Sequence, residues 1–118
     1  MRFGAHYLPT YVPELDGSVA NFYQLMFEQM EGLEGLGFSD LWITEHHFGY
    51  YGGTVPQPPA FLSAIARTTK QIHLGVALSV LPLHRPLEVA ESYAMVDVIS
   101  NGRLEFGVGK GNEAIEFK

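Results

Sequence analysis

Four short, mainly apolar segments divide the chain at regular intervals. They run from Arg2 to Leu8, from Asp40 to Thr44, from His73 to Val80 and from Leu104 to Val108. Each segment is too short to be a typical helix and is bounded by Pro, Gly or polar residues, which is typical of a β-strand. The pattern therefore predicts four strands.

Between these strands, apolar residues recur at spacings of three and four, the period of a helix with one buried face. Ser18 is a favourable cap for the first helix, which ends at Gly35, whereas Pro59 and Pro86 suit the first positions of the other two. The segment 9–17 is predicted to be a loop. The apolar faces consist of Val19, Phe22, Tyr23, Met26, Met30 and Leu33, then Phe61, Leu62, Ile65 and Ala66, then Leu87, Val89, Ala90, Tyr93, Ala94 and Val98.

The order βαβαβαβ, with strands expected to be buried on both faces, indicates a parallel sheet with right-handed crossovers. A doubly wound nucleotide-binding sheet usually carries a glycine-rich loop after its first strand, where this chain has Pro9 to Pro13. A TIM barrel is therefore favoured. Because such a barrel has eight strands and about 250 residues, residues 1–118 are predicted to form its N-terminal half, with no second domain.

Composition excludes several classes of function. The chain has 13 acidic and 7 basic side chains, a formal net charge of -6, and this balance disfavours binding to nucleic acids or anionic membranes. The absence of cysteine excludes disulfides, thiolate metal sites, iron–sulfur clusters and cysteine nucleophiles. Without an apolar run of about 20 residues or a signal-peptide pattern, we expect a cytoplasmic protein.

Histidines are the main candidates for chemistry, because function in a barrel gathers at the carboxyl ends of the strands. His6, His46, His47 and His84 lie near these ends, whereas His73 begins a strand and is expected to be structural. Adjacent strand residues point to opposite sides, so a single-metal site is disfavoured and no metal ligand is assigned. One of the His46 and His47 pair is expected to face the barrel mouth as an acid, base or hydrogen-bond donor. A metal-dependent barrel hydrolase using the four histidines is an alternative.

Two loops add further candidates. Gly107 to Gly111, which includes Lys110, could bring backbone amides and a cation close to an anion after the fourth strand. The segment Tyr50 to Gly53 could fold over a planar ligand, and an ordinary exposed loop is the competing interpretation.

Three blocks of this sequence carry a family resemblance: Leu41 to Phe48 (LWITEHHF), Leu74 to Pro82 (LGVALSVLP) and Gly102 to Gly111 (GRLEFGVGKG). In this order they resemble the bacterial luciferase-like flavin monooxygenases. The resemblance extends along the whole chain. It implies a TIM barrel that binds reduced FMN, or in some branches a deazaflavin, and uses dioxygen to oxidise a small organic substrate.

The resemblance also implies roles for individual residues. His46 matches the family histidine associated with proton transfer beside the flavin, and Glu45 matches a flavin-site acid. The Ala77–Leu78 bond matches a non-prolyl cis peptide that lies against the isoalloxazine ring in many members. Lys110 stands where luciferases commonly have an arginine that contacts the flavin; lysine keeps the charge but loses the planar fork.

The expected function is therefore that of an FMN-dependent monooxygenase, with a flavin reductase as a possible partner. A non-catalytic flavin-binding relative is the alternative. Four parallel strands cannot close a barrel of normal size, so the first and fourth would expose unpaired edges, and we expect a homo-oligomer. Barrel phosphate sites usually use loops after later strands, so residues 1–118 alone are expected to be inactive.

Overall fold

Strands and helices alternate along the whole chain. A computed structural model describes residues 1–49 and 51–118. The strands are β1 (Gly4–Tyr7), β2 (Asp40–Ile43), β3 (His73–Val80) and β4 (Leu104–Gly109), and the helices are α1 (Pro13–Asp16), α2 (Val19–Gly35), α3 (Pro58–Thr68) and α4 (Pro86–Ser100). Short 3-10 helices span Leu81–Leu83 and Ala114–Phe117.

The four strands form one parallel sheet in the order β1-β2-β3-β4. Gly4 is paired with Asp40, which is paired in turn with His73, and Leu74 is paired with Leu104. Each strand therefore lies beside the next one in the sequence. In a doubly wound sheet the strand order reverses beside the first strand, so that later strands lie on its other side. The sequential order β1-β2-β3-β4 therefore confirms the barrel type of winding.

The hydrophobic core lies between one face of the sheet and the helices. Alternate strand residues such as Leu41, Ile43, Leu74 and Val76 are fully buried there. They pack against the apolar faces of the three long helices, and the buried helix residues include Met26, Met30, Leu62, Ile65 and Val96. The predicted cap of α2 is also confirmed, because the Ser18 side chain accepts a hydrogen bond from the Asn21 backbone N–H at 3.1 Å.

The opposite face of the sheet corresponds to the interior of a barrel. The expected burial of both faces is wrong for this side of β1, where His6 is exposed, while Trp42 on β2 is half-buried. The interior of a barrel is filled by layers of side chains from alternate strands around the whole ring. Side chains from four strands cover only part of that space.

Arg103, at the turn before β4, ties several elements together. Its guanidinium donates to the backbone oxygens of Ala66 and Ile72 at 3.0 and 2.8 Å and to the Thr69 hydroxyl at 2.9 Å. Its Nε also donates to the Ser100 oxygen at 2.7 Å. The side chain is buried, so these bonds fix the start of β4 against the ends of α3 and α4.

The observed boundaries differ from the predicted ones at a few places. The predicted loop 9–17 contains the single-turn helix α1, which begins with Pro13 and is closed by an Asp16 carboxylate that accepts the Val12 N–H at 2.7 Å. β1 is shorter than predicted. The 3-10 turn Ala114–Phe117 was not predicted at all, because four residues are too few to show a period.

None of the helices in the described part of the chain is both long enough and apolar enough to cross a membrane.

Candidate functional site

The carboxyl ends of β2, β3 and β4 surround a cavity of about 330 Å³. Its walls include Glu45 and His46 from the exit of β2, Ala77 and Leu78 from β3, and Lys110 from the exit of β4. These are the five residues for which the family resemblance implies a role at a flavin site. Thr44, Val80, Gly111, Asn112 and Glu116 complete the lining.

Ala77 and Leu78 form the β3 wall of this cavity. The peptide bond between them is cis, which confirms the expectation from the family resemblance. The pairing of β3 with β4 shifts register between Val76 and Ser79. The Ala77 and Leu78 side chains are exposed although they lie within β3, so this wall offers an apolar surface to the cavity.

Glu45 is the centre of a buried hydrogen-bond cluster. Its Oε1 accepts from His84 Nε2 at 2.6 Å and from His47 Nε2 at 3.0 Å. Its Oε2 accepts from the Ser79 hydroxyl and the Val80 N–H, both at 3.2 Å. Both carboxylate oxygens are therefore satisfied although the residue is only 3% exposed.

These bonds determine the charge state of Glu45. Burial opposes ionisation, but the hydrogen bonds from His47 and His84, the charge of His84 and the Val80 N–H together lower the pKa of Glu45 below its ordinary value. The carboxylate is thus held ionised at neutral pH.

The Glu45 cluster also tests the alternative prediction of a metal-dependent barrel hydrolase. Glu45, His47 and His84 each offer one ligand atom within 4.8 Å of the others, so a cation is geometrically conceivable. However, their ligand atoms already bond to one another, and neither His6 nor His46 joins them within residues 1–49 and 51–118. The four-histidine set proposed for a hydrolase is therefore not assembled.

The His46 side chain points to the opposite side of the backbone from the His47 side chain and contacts a different carboxylate. Its Nδ1 is 3.0 Å from Glu116 Oε1, and the same oxygen accepts the His47 backbone N–H at 2.8 Å. The Glu116 side chain is 2% exposed. Its second oxygen, Oε2, is buried without a hydrogen-bond partner among the described residues.

The loop after β2 closes against His46. Gly52 has a φ of +73°, and a Cβ at this position would come within 2.7 Å of His46 Cδ2 and 2.6 Å of Leu8 Cδ1. The Tyr51 ring centroid lies 6.5 Å from that of His46. Tyr50, part of the predicted aromatic loop, lies outside the described residues. This loop requires glycine where it touches the imidazole.

Lys110 is an exposed cation at the rim of the cavity. Within the described ranges it makes no ion pair with a carboxylate. Its ammonium group is therefore free to meet an anionic group of a ligand.

A second cavity, of about 290 Å³, lies between the N-terminal ends of α3 and α4. Glu45 lines both cavities, and His84 and Tyr93 line the second one. Burial raises the pKa of Tyr93 to about 12, and the nearby Glu45 charge adds to this effect. Tyr93 therefore remains a neutral phenol throughout the physiological pH range.

The remaining histidines lie away from the cavity. His73 begins β3, and its Nδ1 is 2.9 Å from Glu105 Oε1 at the amino ends of the strands. His6 is exposed on the interior face of β1. The expected structural position of His73 agrees with this arrangement.

Sequence reasoning did not single out Glu116 and did not pair His84 with Glu45. Glu116 follows the glycine-rich exit of β4, and residues after the carboxyl ends of strands are the usual source of barrel site residues. This rule could have identified Glu116 as a candidate site residue.

In a barrel-type α/β fold, a cavity at the carboxyl ends of the strands is the usual location of an enzyme active site, and this cavity is lined by both apolar and polar side chains. The family model described as "Luciferase-like monooxygenase" matches residues 1–118, and the chain belongs to this family.

Two curated relatives illustrate the match. The chain is 37% identical over 116 residues to limonene 1,2-monooxygenase of Rhodococcus erythropolis, covering 98% of this chain and 29% of the relative. It is 32% identical over 96 residues to the oxygenase component of flavin-dependent trigonelline monooxygenase of Acinetobacter baylyi, covering 81% and 26%. The chain thus spans less than a third of the length of these relatives.

Solved structures share the fold of this chain. The monooxygenase RslO1 from Streptomyces bottropensis superimposes with a TM-score of 0.93 at 34% identity, over 99% of this chain and 35% of that one. The oxygenating constituent of 3,6-diketocamphane monooxygenase of Pseudomonas putida, in complex with FMN, shares the fold at 23% identity and a TM-score of 0.85, over 96% and 30%. A coenzyme F420-dependent tetrahydromethanopterin reductase from Methanopyrus kandleri gives 0.65 at 27% identity, over 96% and 28%.

Proposed function

We propose that residues 1–118 form the N-terminal half of the barrel of a flavin-dependent monooxygenase, which uses reduced FMN and dioxygen to oxidise a small organic substrate. The observation that carries the proposal is the convergence of Glu45, His46, Ala77, Leu78 and Lys110 on one cavity at the carboxyl ends of three strands. The trigonelline relative, which is flavin-dependent by name, supports the choice of cofactor.

The donor set of the cavity fits a flavin. Its volume falls within the range of about 300–1,000 Å³ that is usual for small-molecule sites. Ala77 and Leu78 offer an apolar wall for a flat ring, and the Lys110 cation suits an anionic part of the cofactor. The buried Glu116 Oε2 lacks a donor within the described part of the chain, as expected of an atom that meets a ligand.

Bound reduced FMN would supply the electrons that activate dioxygen. The residues of this chain then have separate tasks. His46 lies at the cavity wall and would accept or donate a proton at its Nε2, because its Nδ1 is engaged by Glu116. Glu45 remains ionised and holds the β2 exit against β3 through Ser79 and Val80. Leu78 and Val80 add apolar surface to the cavity wall.

Cofactor titration of the full-length protein tests the proposal. We expect FMN to bind and reduced FMN to support oxygen uptake in the presence of substrate. Binding of F420 in place of FMN would move the protein to the deazaflavin branch. Flavin binding without oxygen uptake would favour the non-catalytic flavin-binding relative. Failure to bind either cofactor would refute the proposal.

The same protein provides a test of partners. The trigonelline relative is named as an oxygenase component, and we infer that a separate flavin reductase supplies reduced FMN to this protein as well. Oxygen uptake with FMN and NADH alone should be negligible. Added purified flavin reductase should raise oxygen uptake above the rate that the reductase and FMN give without this protein, because free reduced FMN itself consumes oxygen.

A further inference from the structure

Glu116 is the one acid of the cavity for which neither the sequence nor the family resemblance gives a role. It lies in the 3-10 turn after β4, and its backbone N–H donates to the Glu113 oxygen at 3.0 Å. This turn points the side chain back towards the exit of β2, 70 residues earlier in the sequence.

We propose that Glu116 is the positioning residue for His46: its carboxylate fixes the imidazole with the proton on Nδ1 and the lone pair on Nε2. The proposal rests on the proposed function, in which His46 transfers a proton inside the cavity.

The first argument is the role of Glu116 Oε1. This oxygen already accepts the His47 backbone N–H at 2.8 Å, so it acts as an acceptor. Its 3.0 Å contact with His46 Nδ1 is then a hydrogen bond in which Nδ1 donates. In a neutral imidazole the other nitrogen, Nε2, must carry the lone pair.

The second argument is burial. The Glu116 side chain is 2% exposed and that of His46 is 20% exposed. Water therefore competes little for the bond, and a charge-assisted bond in such surroundings is stronger than one at the surface. The same negative charge stabilises the imidazolium that forms whenever His46 accepts a proton. Glu45, Lys110 and Tyr51 are the other titratable groups close to the ring.

The third argument is that the contact is held from both sides. The His47 N–H belongs to the residue that follows His46, so Glu116 Oε1 binds the backbone and the side chain of the same dipeptide. Gly52 packs against the opposite edge of the ring, where a Cβ would lie within 2.7 Å. The imidazole is thus restricted in both rotation and tautomer.

The experiment measures the ring tautomer directly in the full-length protein. The ¹⁵N chemical shifts of the His46 ring, assigned by their loss in His46→Gln, should show a protonated Nδ1 and an unprotonated Nε2 in the wild type. In Glu116→Leu the ring should become a mixture of both tautomers, and turnover should fall about 100-fold, as expected when an acid/base group is misplaced.

Two further variants separate positioning from general damage. Glu116→Gln keeps an acceptor oxygen, so it should keep the wild-type tautomer and restore turnover to within about tenfold of the wild type. Glu113→Gln, an exposed glutamate in the same segment, should change neither the tautomer nor turnover.

The proposal is overturned if wild-type Nδ1 is unprotonated, a result that needs no variant to fold. An unchanged tautomer in Glu116→Leu, or equal effects of Glu113→Gln and Glu116→Leu, would overturn it as well. Failure of the wild-type protein to bind flavin concerns the proposed function only, because the tautomer is measured without cofactor.

Discussion

His46 and His47 are neighbours in the sequence, yet their side chains bind two different carboxylates. The His46 ring contacts Glu116 at 3.0 Å beside the cavity, whereas the His47 ring contacts Glu45 at 3.0 Å. Extended backbone directs successive side chains to opposite sides, and this alternation gives the two histidines separate tasks. We propose proton transfer for His46, whereas His47 contacts the buried acid Glu45.

The first prediction concerns His46. In the full-length protein His46→Ala should lower turnover by about 100-fold or more, because a positioned acid/base group is lost. Steady-state oxygen uptake measures this effect, and circular dichroism should show an unchanged fold. His73→Gln is the matched control, since His73 lies at the amino ends of the strands with Glu105, and it should retain at least half of wild-type turnover. Normal turnover in His46→Ala would remove this residue from the mechanism.

The second prediction concerns pH and Glu45. The folded state lowers the pKa of this carboxyl below its ordinary value of 4.5. Because the folded pKa is the lower one, ionised Glu45 stabilises the fold at neutral pH, and this contribution is lost as the pH falls below about 4.5. Glu45→Gln should therefore cost about 1.5–3 kcal/mol at pH 7, the range for hydrogen bonds to a charged group.

Urea unfolding between pH 7 and pH 3 measures this difference. The stability gap between the wild type and Glu45→Gln should narrow in the acid range. Glu88→Gln, at an exposed position on α4, serves as the control and should follow the wild-type curve. A gap that stays constant down to pH 3 would show that Glu45 is not ionised in the folded protein.

The third prediction concerns Arg103. Arg103→Met should destabilise the fold by about 3 kcal/mol or more, because the buried oxygens of Ala66, Ile72 and Ser100 would lose their donor. Arg85→Met is the matched control. Arg85 pairs with Glu88 at the surface, and an exposed pair contributes about 1 kcal/mol at most. Denaturant midpoints compare the two variants, and equal losses would mean that the Arg103 bonds contribute little.

Local patterns explain which parts of the fold could be predicted. β3 is a long apolar run closed by proline, so its boundaries from His73 to Val80 were predicted correctly. Site residues in a barrel follow the carboxyl ends of the strands. This rule predicted that Glu45, His46 and Lys110 lie at the same end of the sheet. The barrel was favoured over a doubly wound sheet because Pro9 to Pro13 stand where a glycine-rich loop would follow the first strand.

Contacts between distant parts of the chain could not be predicted in the same way. Glu116 meets His46 across 70 positions, and His84 meets Glu45 across 39. These contacts depend on the direction of a turn or a 3-10 helix, which sequence periodicity does not determine. The cis Ala77–Leu78 bond was expected only from the family resemblance, since no propensity of alanine or leucine favours it.

The last prediction concerns self-association of the 118-residue chain. β1 and β4 stand at the two ends of the sheet, so each has one edge without a partner strand among the described residues. On β4, Phe106 and Val108 are 44% and 49% exposed. Unpaired edges beside exposed apolar side chains favour pairing with another chain. Two copies paired through β1 and β4 would give eight strands with two-fold symmetry.

Light scattering on the purified chain at micromolar concentration should therefore report a dimer or a larger species. Val108→Lys places a charge on the β4 edge and should shift the population towards the monomer, because lysine at an edge opposes strand pairing. Ala114→Lys adds the same single positive charge at an exposed position beyond β4 and should leave the population unchanged. A folded monomer of the unmodified chain, with native-like circular dichroism, would show that the β1 and β4 edges do not drive association.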